Sequence, residues 1–458
     1  MPMPVAAPRA LAFEVLRETF ERGAHTELAF RAGAERLGLA GRDRAQGQRL
    51  AYGAVQRRGT SDAAIERLSG RAMRLLDPPV AAALRLGLFE LLFADGTPDH
   101  AAVDQAVELV KIAKAAHASG FVNAILRRAA REREELNADL LGDDSTPEGA
   151  AVAHSAPLWL AQMWWEELGG EATRSLLAAC NQPAEVAMRA ADAEARADLV
   201  ARLRGEGIDV SSAAGEWPLA VPESMVFSGR VGDSVPRLVA DGMLTPQSRG
   251  SAAVVEVLGP RPAETILDLC AGPGIKTGQI AARMEDRGEV ISVELDERRA
   301  AEISAQARRL DLHGVTVFEG DATSLPMPEG FHRVLLDAPC SDLGTLASRP
   351  DARWRKSPRT IERVAAVQEQ ALLGAAKVLR PGGTLVYSTC TISRRENEDR
   401  IRALLEASAA DQVPPLALDD LGALAPELAS PHEPRTLQLR PDRDRTTGFF
   451  IARLTRHD

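Results

Sequence analysis

Cys180, Cys270, Cys340 and Cys390 are the side chains of this 458-residue chain best suited to making and breaking covalent bonds. Two of them follow strand-like runs: residues 333–336 lead into Asp337-Ala-Pro-Cys340, and residues 384–387 lead into Ser388-Thr-Cys390-Thr391. In an open α/β sheet ligands bind at the carboxyl edge of the strands, so if these two strands are neighbours the thiols converge there. Such a pair suits one demanding reaction. Carbon 5 of cytosine is a poor nucleophile, and addition of a thiolate at carbon 6 makes it enamine-like. Asp337, three residues before Cys340, is placed to hydrogen-bond or protonate ring N3 during that addition. A base must then remove the carbon 5 proton before the thiolate leaves. Residue type and spacing leave open which thiol attacks. A lone cysteine is more often packing than chemistry, so Cys180 is assigned to a core and Cys270 to a tight turn. No Cys-x-x-Cys pair or histidine array accompanies them, which argues against a metal site or a disulfide framework.

Chemistry of this kind needs an activated group donor, and a glycine loop supplies a place for one. The strand-like residues 265–269 run into Cys270, Ala271, Gly272, Pro273, Gly274, Ile275 and Lys276, followed by a helical pattern over residues 279–284. A strand turning through glycines into a helix N-terminus brings backbone amides close to a ligand. A P-loop would need glycine in place of Ile275 and Cys270, and a dinucleotide fingerprint would place its third glycine one position before Gly278. An adenosyl-amino-acid ligand fits better. A second strand over residues 290–293 ends at Glu294, 20 residues after Gly274, where a carboxylate can accept from a ribose diol. A third, over residues 315–318, leads to Asp321, which could meet an adenine amine or simply cap a turn.

The elements that position these residues read as three units. Residues 1–141 form an all-α bundle, with apolar spacings such as Leu84, Leu88, Leu91 and Leu92. The polar, turn-rich stretch 141–150 is a linker. Residues 150–245 are a small α+β domain, and residues 246–458 alternate strand, turn and helix as a doubly wound Rossmann-like α/β domain. The formal charge is −10, so nucleic acid must be met by local basic surfaces. Residues 1–140 carry 20 Lys and Arg against 18 Asp and Glu, leaving −12 to the remainder. From Arg36 to Arg58, six arginines face the single acid Asp43, a strip that suits phosphate or a solvated helix face. Beyond the Pro-Cys loop, Arg349, Arg353, Trp354, Arg355 and Lys356 interleave cations with an aromatic, a pattern that suits phosphate contact and base stacking on RNA; the alternative is that Trp354 anchors the loop. Ser357 and Pro358 then open a helix that leads to the strand before Cys390.

Taken together, Asp268-Leu-Cys-Ala-Gly-Pro-Gly-Ile-Lys-Thr277, Asp337-Ala-Pro-Cys-Ser341 and Ser388-Thr-Cys-Thr391 resemble the Sun/Fmu (RsmB-type) bacterial rRNA cytosine-5 methyltransferases, and the N-terminal third resembles the NusB-type helical RNA-binding domain fused to them. The resemblance implies S-adenosylmethionine as cofactor, held along Cys270 to Lys276 with Glu294 at the ribose, Asp321 near the adenine and Asp337 beside the methyl donor. It implies small-subunit rRNA as substrate, Cys390 as the attacking thiol and Cys340 as the residue that helps resolve the adduct. Departures are Glu294 for the usual aspartate, Ile275 before the lysine, Asp342 after Ser341 where glycine is frequent, and Thr447 where aspartate is common. With no signal-peptide-like start and no long apolar run, the chain reads as a cytoplasmic, monomeric protein that needs no metal and no membrane. The competing readings are an RNA-binding assembly or antitermination protein that does not turn over, and a methyltransferase of protein or small molecules, which leaves both cysteines without a role.

Overall fold

The computed structural model describes residues 5–212, 218–229, 231–324 and 326–458. Residues 1–4 of the expected helical domain and residues 213–217 and 230 of the expected small domain lie outside them, as does residue 325. Two compact units result. The first comprises Met1–Gln182 with Leu346–Lys356, and the second Pro183–Thr345 with Ser357–Asp458.

The first unit is all helical between Ala7–Glu21 and Gly170–Ala179. Its core gathers Leu11, Leu16, Ile65, Leu84, Leu88, Val103, Val110 and Leu126, all nearly inaccessible, from five helices. Pro78–Leu92 has proline at its first turn, where the missing N–H costs nothing, and it buries most of its length. Stretch 141–150, expected as a linker, is instead a turn between Arg133–Leu141 and Pro147–Ala153. Asp144 closes it by accepting from His154 Nε2 at 2.9 Å and from Arg174 at 3.3 Å. The Trp-bearing helix Leu158–Leu168 therefore packs with the front bundle, while the strands expected beside it belong to the second unit. Polar composition marked a turn here, and what decides a boundary is which core the flanking helices bury against.

The second unit holds two sheets. The smaller has order β2-β3-β1-β4, from β1 (Val186–Arg189), β2 (Val210–Ser212), β3 (Ser224–Phe227) and β4 (Thr245–Pro246). The larger contains β5 (Glu264–Leu269), β6 (Gly288–Glu294), β7 (Val315–Glu319), β8 (Phe331–Asp337), β9 (Leu379–Thr389), β10 (Leu416–Leu418), β11 (Leu437–Leu439) and β12 (Phe449–Arg456). Its order is β10-β12-β9-β8-β5-β6-β7, with β11 also on β12. The five strands β7, β6, β5, β8 and β9 are parallel, and β12 continues the sheet antiparallel to β9, with β10 and β11 antiparallel to β12 in turn. Successive side chains alternate between faces. Ile266, Leu335, Val386 and Ile451 join Val254, Val255 and Ile280 in one core. Leu267, Leu336, Tyr387 and Phe450 join Ala371, Leu372 and Leu404 in the other. A one-residue slip would exchange the two sets, so the apolar pattern fixes the register. The chain leaves β5 towards β6 and β7, then returns to β8 and β9 on the other side. A crevice at that switch, on the carboxyl ends of β5 and β8, is where such sheets bind ligands.

Candidate active site

Parallel pairing sets Leu336 against Tyr387 and Asp337 against Ser388. The loops leaving β8 and β9 therefore start side by side, and Cys340 Sγ and Cys390 Sγ stand 3.3 Å apart. Cys390 is half-buried and its thiol donates to Asp342 Oδ1 at 3.4 Å. Cys340 is buried, and its hydrogen bond with Cys390, reinforced by burial, holds its thiol well above the ordinary range. Either sulfur can donate in the contact between the two thiols. The donor atoms of Cys340, Asp342 and Cys390 all lie within 4.8 Å of one another.

Two buried acceptors hold these loops. Glu396, fully buried, accepts from Ser341 N at 2.8 Å, from Ser341 Oγ, and from Gln368 Nε2 at 3.3 Å. Gln368 also donates to Pro339 O at 2.9 Å, and Tyr387 Oη donates to Glu396 O at 2.6 Å. Asn397 meets Thr389 Oγ1 at 2.6 Å and donates to Thr391 O at 3.2 Å. Gly344 N donates to Cys390 O at 3.0 Å, and Gly448 N donates to Gly344 O at 2.9 Å. The sequence reading missed Asp342, Gln368, Glu396 and Asn397 as supports; the run Arg395-Glu-Asn397 shortly after Cys390 was the available signal.

On the neighbouring strand ends, Asp337 accepts from Lys276 Nζ at 2.6 Å and from Ser388 Oγ at 2.7 Å. Lys276 lies on the first turn of helix Ile275–Arg283 and also faces the Phe449 ring at 5.1 Å. The loop before it carries positive φ at Cys270 (60°), Gly272 (60°) and Gly274 (84°). Cys270 tolerates the turn, and burial pushes its thiol up. At Gly274 a Cβ would meet the Ile303 backbone at 3.1 Å, so glycine is needed both for conformation and for room. Gly272 N donates to Glu294 Oε2 at 2.8 Å and Asp296 N to Glu294 Oε1 at 3.1 Å, so Glu294 ties β6 to the glycine loop. Ala271 and Pro273 complete that loop. Asp268 is fully buried beneath it, accepting from Thr277 Oγ1 at 2.6 Å, while its Oδ1 has no partner. Burial raises its carboxyl to about 7. Asp321 is exposed and caps its own turn, Oδ1 accepting from Thr323 N at 2.9 Å and Thr323 Oγ1 at 2.7 Å, which holds its carboxyl low.

The basic residues beyond the Pro-Cys loop are placed otherwise than expected. Leu346–Lys356 belongs to the first unit. Arg353 is 1% exposed: Nη1 donates to Ser155 O at 2.9 Å and Asn181 Oδ1 at 3.1 Å, and Nη2 to Cys180 O at 3.0 Å. Burial lowers its guanidinium to about 10. Trp354 packs on the helical core, donates from Nε1 to Val55 O at 2.8 Å, and carries Arg58 over its ring at 5.2 Å. Arg353 is buried against protein acceptors, whereas Trp354 is half-buried with its indole N–H bound to the bundle, a placement compatible with the anchoring alternative. Arg355 pairs with Asp351 at 2.6 Å and approaches His25; Lys356 is half-buried and Arg349 is exposed. In the arginine strip, Arg36 pairs with Glu14, Arg44 lies over Phe30, and Arg57 over Phe93, leaving Arg42 and Arg49 exposed along one cleft.

With the geometry in view, comparison with known proteins is decisive. The family model for 16S rRNA methyltransferase RsmB/F matches residues 255–455, and the NusB family model matches residues 6–131. Ribosomal RNA small subunit methyltransferase B of Thermus thermophilus is 35% identical over 404 residues, covering 88% of this chain and 88% of that protein. The chain belongs to the RsmB/F rRNA methyltransferase family. Its Escherichia coli relative of the same name is 30% identical over 416 residues, 90% of each chain. The fold is shared with the crystal structure of PH0851, at a TM-score of 0.80 and 24% identity over 99% of this chain and 100% of that one. The helical NusB region and the Rossmann-like methyltransferase domain expected from the sequence are both present. Among the described residues no helix is long and apolar enough to cross a membrane.

Proposed function

We propose that this RsmB/F-family methyltransferase transfers the methyl group of S-adenosylmethionine to carbon 5 of a cytidine in small-subunit rRNA, through a covalent adduct on Cys390. The observation that carries the reading is the meeting of two thiols 3.3 Å apart at the ends of β8 and β9, beside an aspartate bound to a lysine. The residues present fit the cofactor. The backbone at Gly272 opens onto space with nothing within 4 Å of a Cβ, a buried carboxylate stands at the end of β6, and Asp268 keeps an unpartnered buried oxygen under the loop. Cys270, Ala271, Gly272, Pro273, Gly274, Ile275 and Lys276, with Glu294, Asp321 and Asp337, would hold it. When bound, S-adenosylmethionine supplies an electrophilic methyl group on its sulfonium.

Unstacked RNA is the natural substrate, because a cytosine must leave its stack to meet a thiol. Cys390 Sγ bonds to carbon 6, and the displaced ring electrons are taken up at N3 as a proton passes to it through Asp337 from the Lys276 ammonium bound to that carboxylate. Carbon 5 is then nucleophilic. After methylation the carbon 5 proton passes to water, its bonding pair re-forms the double bond between carbons 5 and 6, and the carbon–sulfur bond breaks with its pair returning to Cys390 Sγ; Cys340 assists this release. The half-buried Cys390 favours it as the attacking group, and the raised, buried thiol of Cys340 favours its supporting role.

Incubation with labelled S-adenosylmethionine and small-subunit rRNA tests this by mapping of 5-methylcytidine. Cys390→Ala is expected to abolish both label and adduct, and Cys340→Ala to leave a protein–RNA adduct that survives denaturing electrophoresis. Activity retained in Cys390→Ala but lost in Cys340→Ala would exchange the two roles.

A further inference from the structure

We infer that Asp342 is the proton acceptor for Cys390: as Sγ bonds to the pyrimidine, the S–H bond breaks and the proton passes to Asp342 Oδ1, returning to sulfur when the adduct is resolved. The inference rests on the proposed attack by Cys390 and adds to it the base that the attack requires. A cysteine is ordinarily a thiol at neutral pH, and the thiolate is the nucleophile. Activation needs either a partner that lowers the thiol pKa or a base within hydrogen-bond reach. Cys390 Sγ meets no lysine, arginine or histidine in the hydrogen bonds described; it meets a carboxylate oxygen, as donor, at 3.4 Å.

Asp342 is built for that position. It sits at φ 59°, a left-handed conformation that asparagine and aspartate adopt more readily than most residues. Its own carbonyl accepts from Thr345 N at 3.0 Å and Thr345 Oγ1 at 2.8 Å, which fixes the backbone from which the carboxylate points at sulfur. Ser341, immediately before it, is locked to Glu396 and Thr391, and Gly344, two residues on, to Cys390 O. The carboxylate is thus aimed from a loop held on both sides. The titratable groups facing it include Cys340 on its own loop and Cys390 after β9, with Glu396 behind Ser341. Cys340 Sγ lies 3.3 Å from Cys390 Sγ, within reach of the sulfur that gives up its proton to Asp342.

Asp342→Asn tests the inference, because asparagine tolerates the same backbone and can accept a hydrogen bond but not a proton. Single-turnover methyl transfer to small-subunit rRNA would be followed from pH 6 to 9, with thermal unfolding as a check on folding. The expected result is an unchanged unfolding midpoint and a rate lowered about 100-fold near neutrality. That rate should climb tenfold per pH unit as hydroxide and bulk base take over, while the wild type stays nearly flat. A plain like-charge effect has the opposite sign, since removing the carboxylate eases ionisation of the thiol. Asp342→Asn as fast as or faster than wild type at pH 7 therefore overturns the inference. If Asp342→Asn unfolds early, Asp342→Gly, which also suits the left-handed backbone, takes its place with the same two outcomes. Cys390→Ala run in parallel separates the two levels: full activity there refutes the nucleophile, whereas a dead Cys390→Ala beside a normal Asp342→Asn refutes the base alone.

Discussion

Asp268 shows how one side chain can set the pH response of the molecule. Its carboxyl is raised to about 7 by burial, against the 3.8 of an exposed aspartate. Between those values the folded protein keeps a proton on Asp268 that the unfolded chain has released, so the contribution of this one group to folding stability is fully present below about pH 4 and falls as pH rises towards 7. The slope is at most about 1.4 kcal/mol per pH unit. Asp268→Asn removes that titration while keeping an acceptor for Thr277 Oγ1, so the variant should gain on the wild type between pH 5 and 8 in denaturant titrations. A stability difference that stays constant over that range would contradict the assignment. Lys276, Asp337, Cys340 and Cys390 could be picked out from their positions after strands. Asp342 could not, because its importance lies in the direction of its carboxylate, and that depends on a left-handed backbone which sequence does not display.

At the scale of elements, the site depends on a Pro-Cys loop clamped between the ends of β9 and β12. A Cβ added at Gly344 would lie 2.3 Å from Gly448 O and 2.8 Å from Gly448 Cα, both backbone, so the loops must separate. Gly344→Ala is therefore expected to cost about 1–3 kcal/mol of stability. It should also displace Cys340 and Asp342, so methyl transfer should fall far more than unfolding temperature. Gly272→Ala is the contrast: its Cβ meets open space, and its cost is the left-handed backbone alone, about 1–2 kcal/mol. Strand positions were legible because buried parallel strands are continuous apolar runs of recognisable length. The helix opened by Ser357 and Pro358 ends at Lys377, and the glycine pair Gly382-Gly383 lies within β9, whose first residue pairs with Phe331 ahead of a register shift.

At the scale of the whole molecule, one cation in the basic run beyond the Pro-Cys loop, Arg353, is internal. Leu346–Lys356 leaves the catalytic loop in sequence and packs as part of the helical unit. Arg353→Ala would strand the carbonyls of Ser155 and Cys180 and the amide of Asn181, each acceptor costing about 1–3 kcal/mol when left buried and unpaired. The variant should lower the unfolding transition of that unit while leaving the salt dependence of RNA binding unchanged. A phosphate contact would behave differently, reducing the slope of log affinity against log salt by about 0.7–0.9. A reduced slope without loss of stability would restore Arg353 to the RNA surface.

The sequence by itself determined the order of the elements, the glycine loop with its acidic strand ends, and the two thiols with their aspartate, since each is a local matter of residue type and spacing. Tertiary structure alone decided that β8 and β9 are neighbours and that the Cys390 thiol donates a hydrogen bond to Asp342. It alone decided that Glu396 and Gln368 hold the loop, and that Arg353 faces a protein core rather than a phosphate. The reason is physical: those partners lie tens to hundreds of positions apart along the chain, and a charge or a thiol looks the same in sequence whether water, RNA or a buried carbonyl stands opposite it.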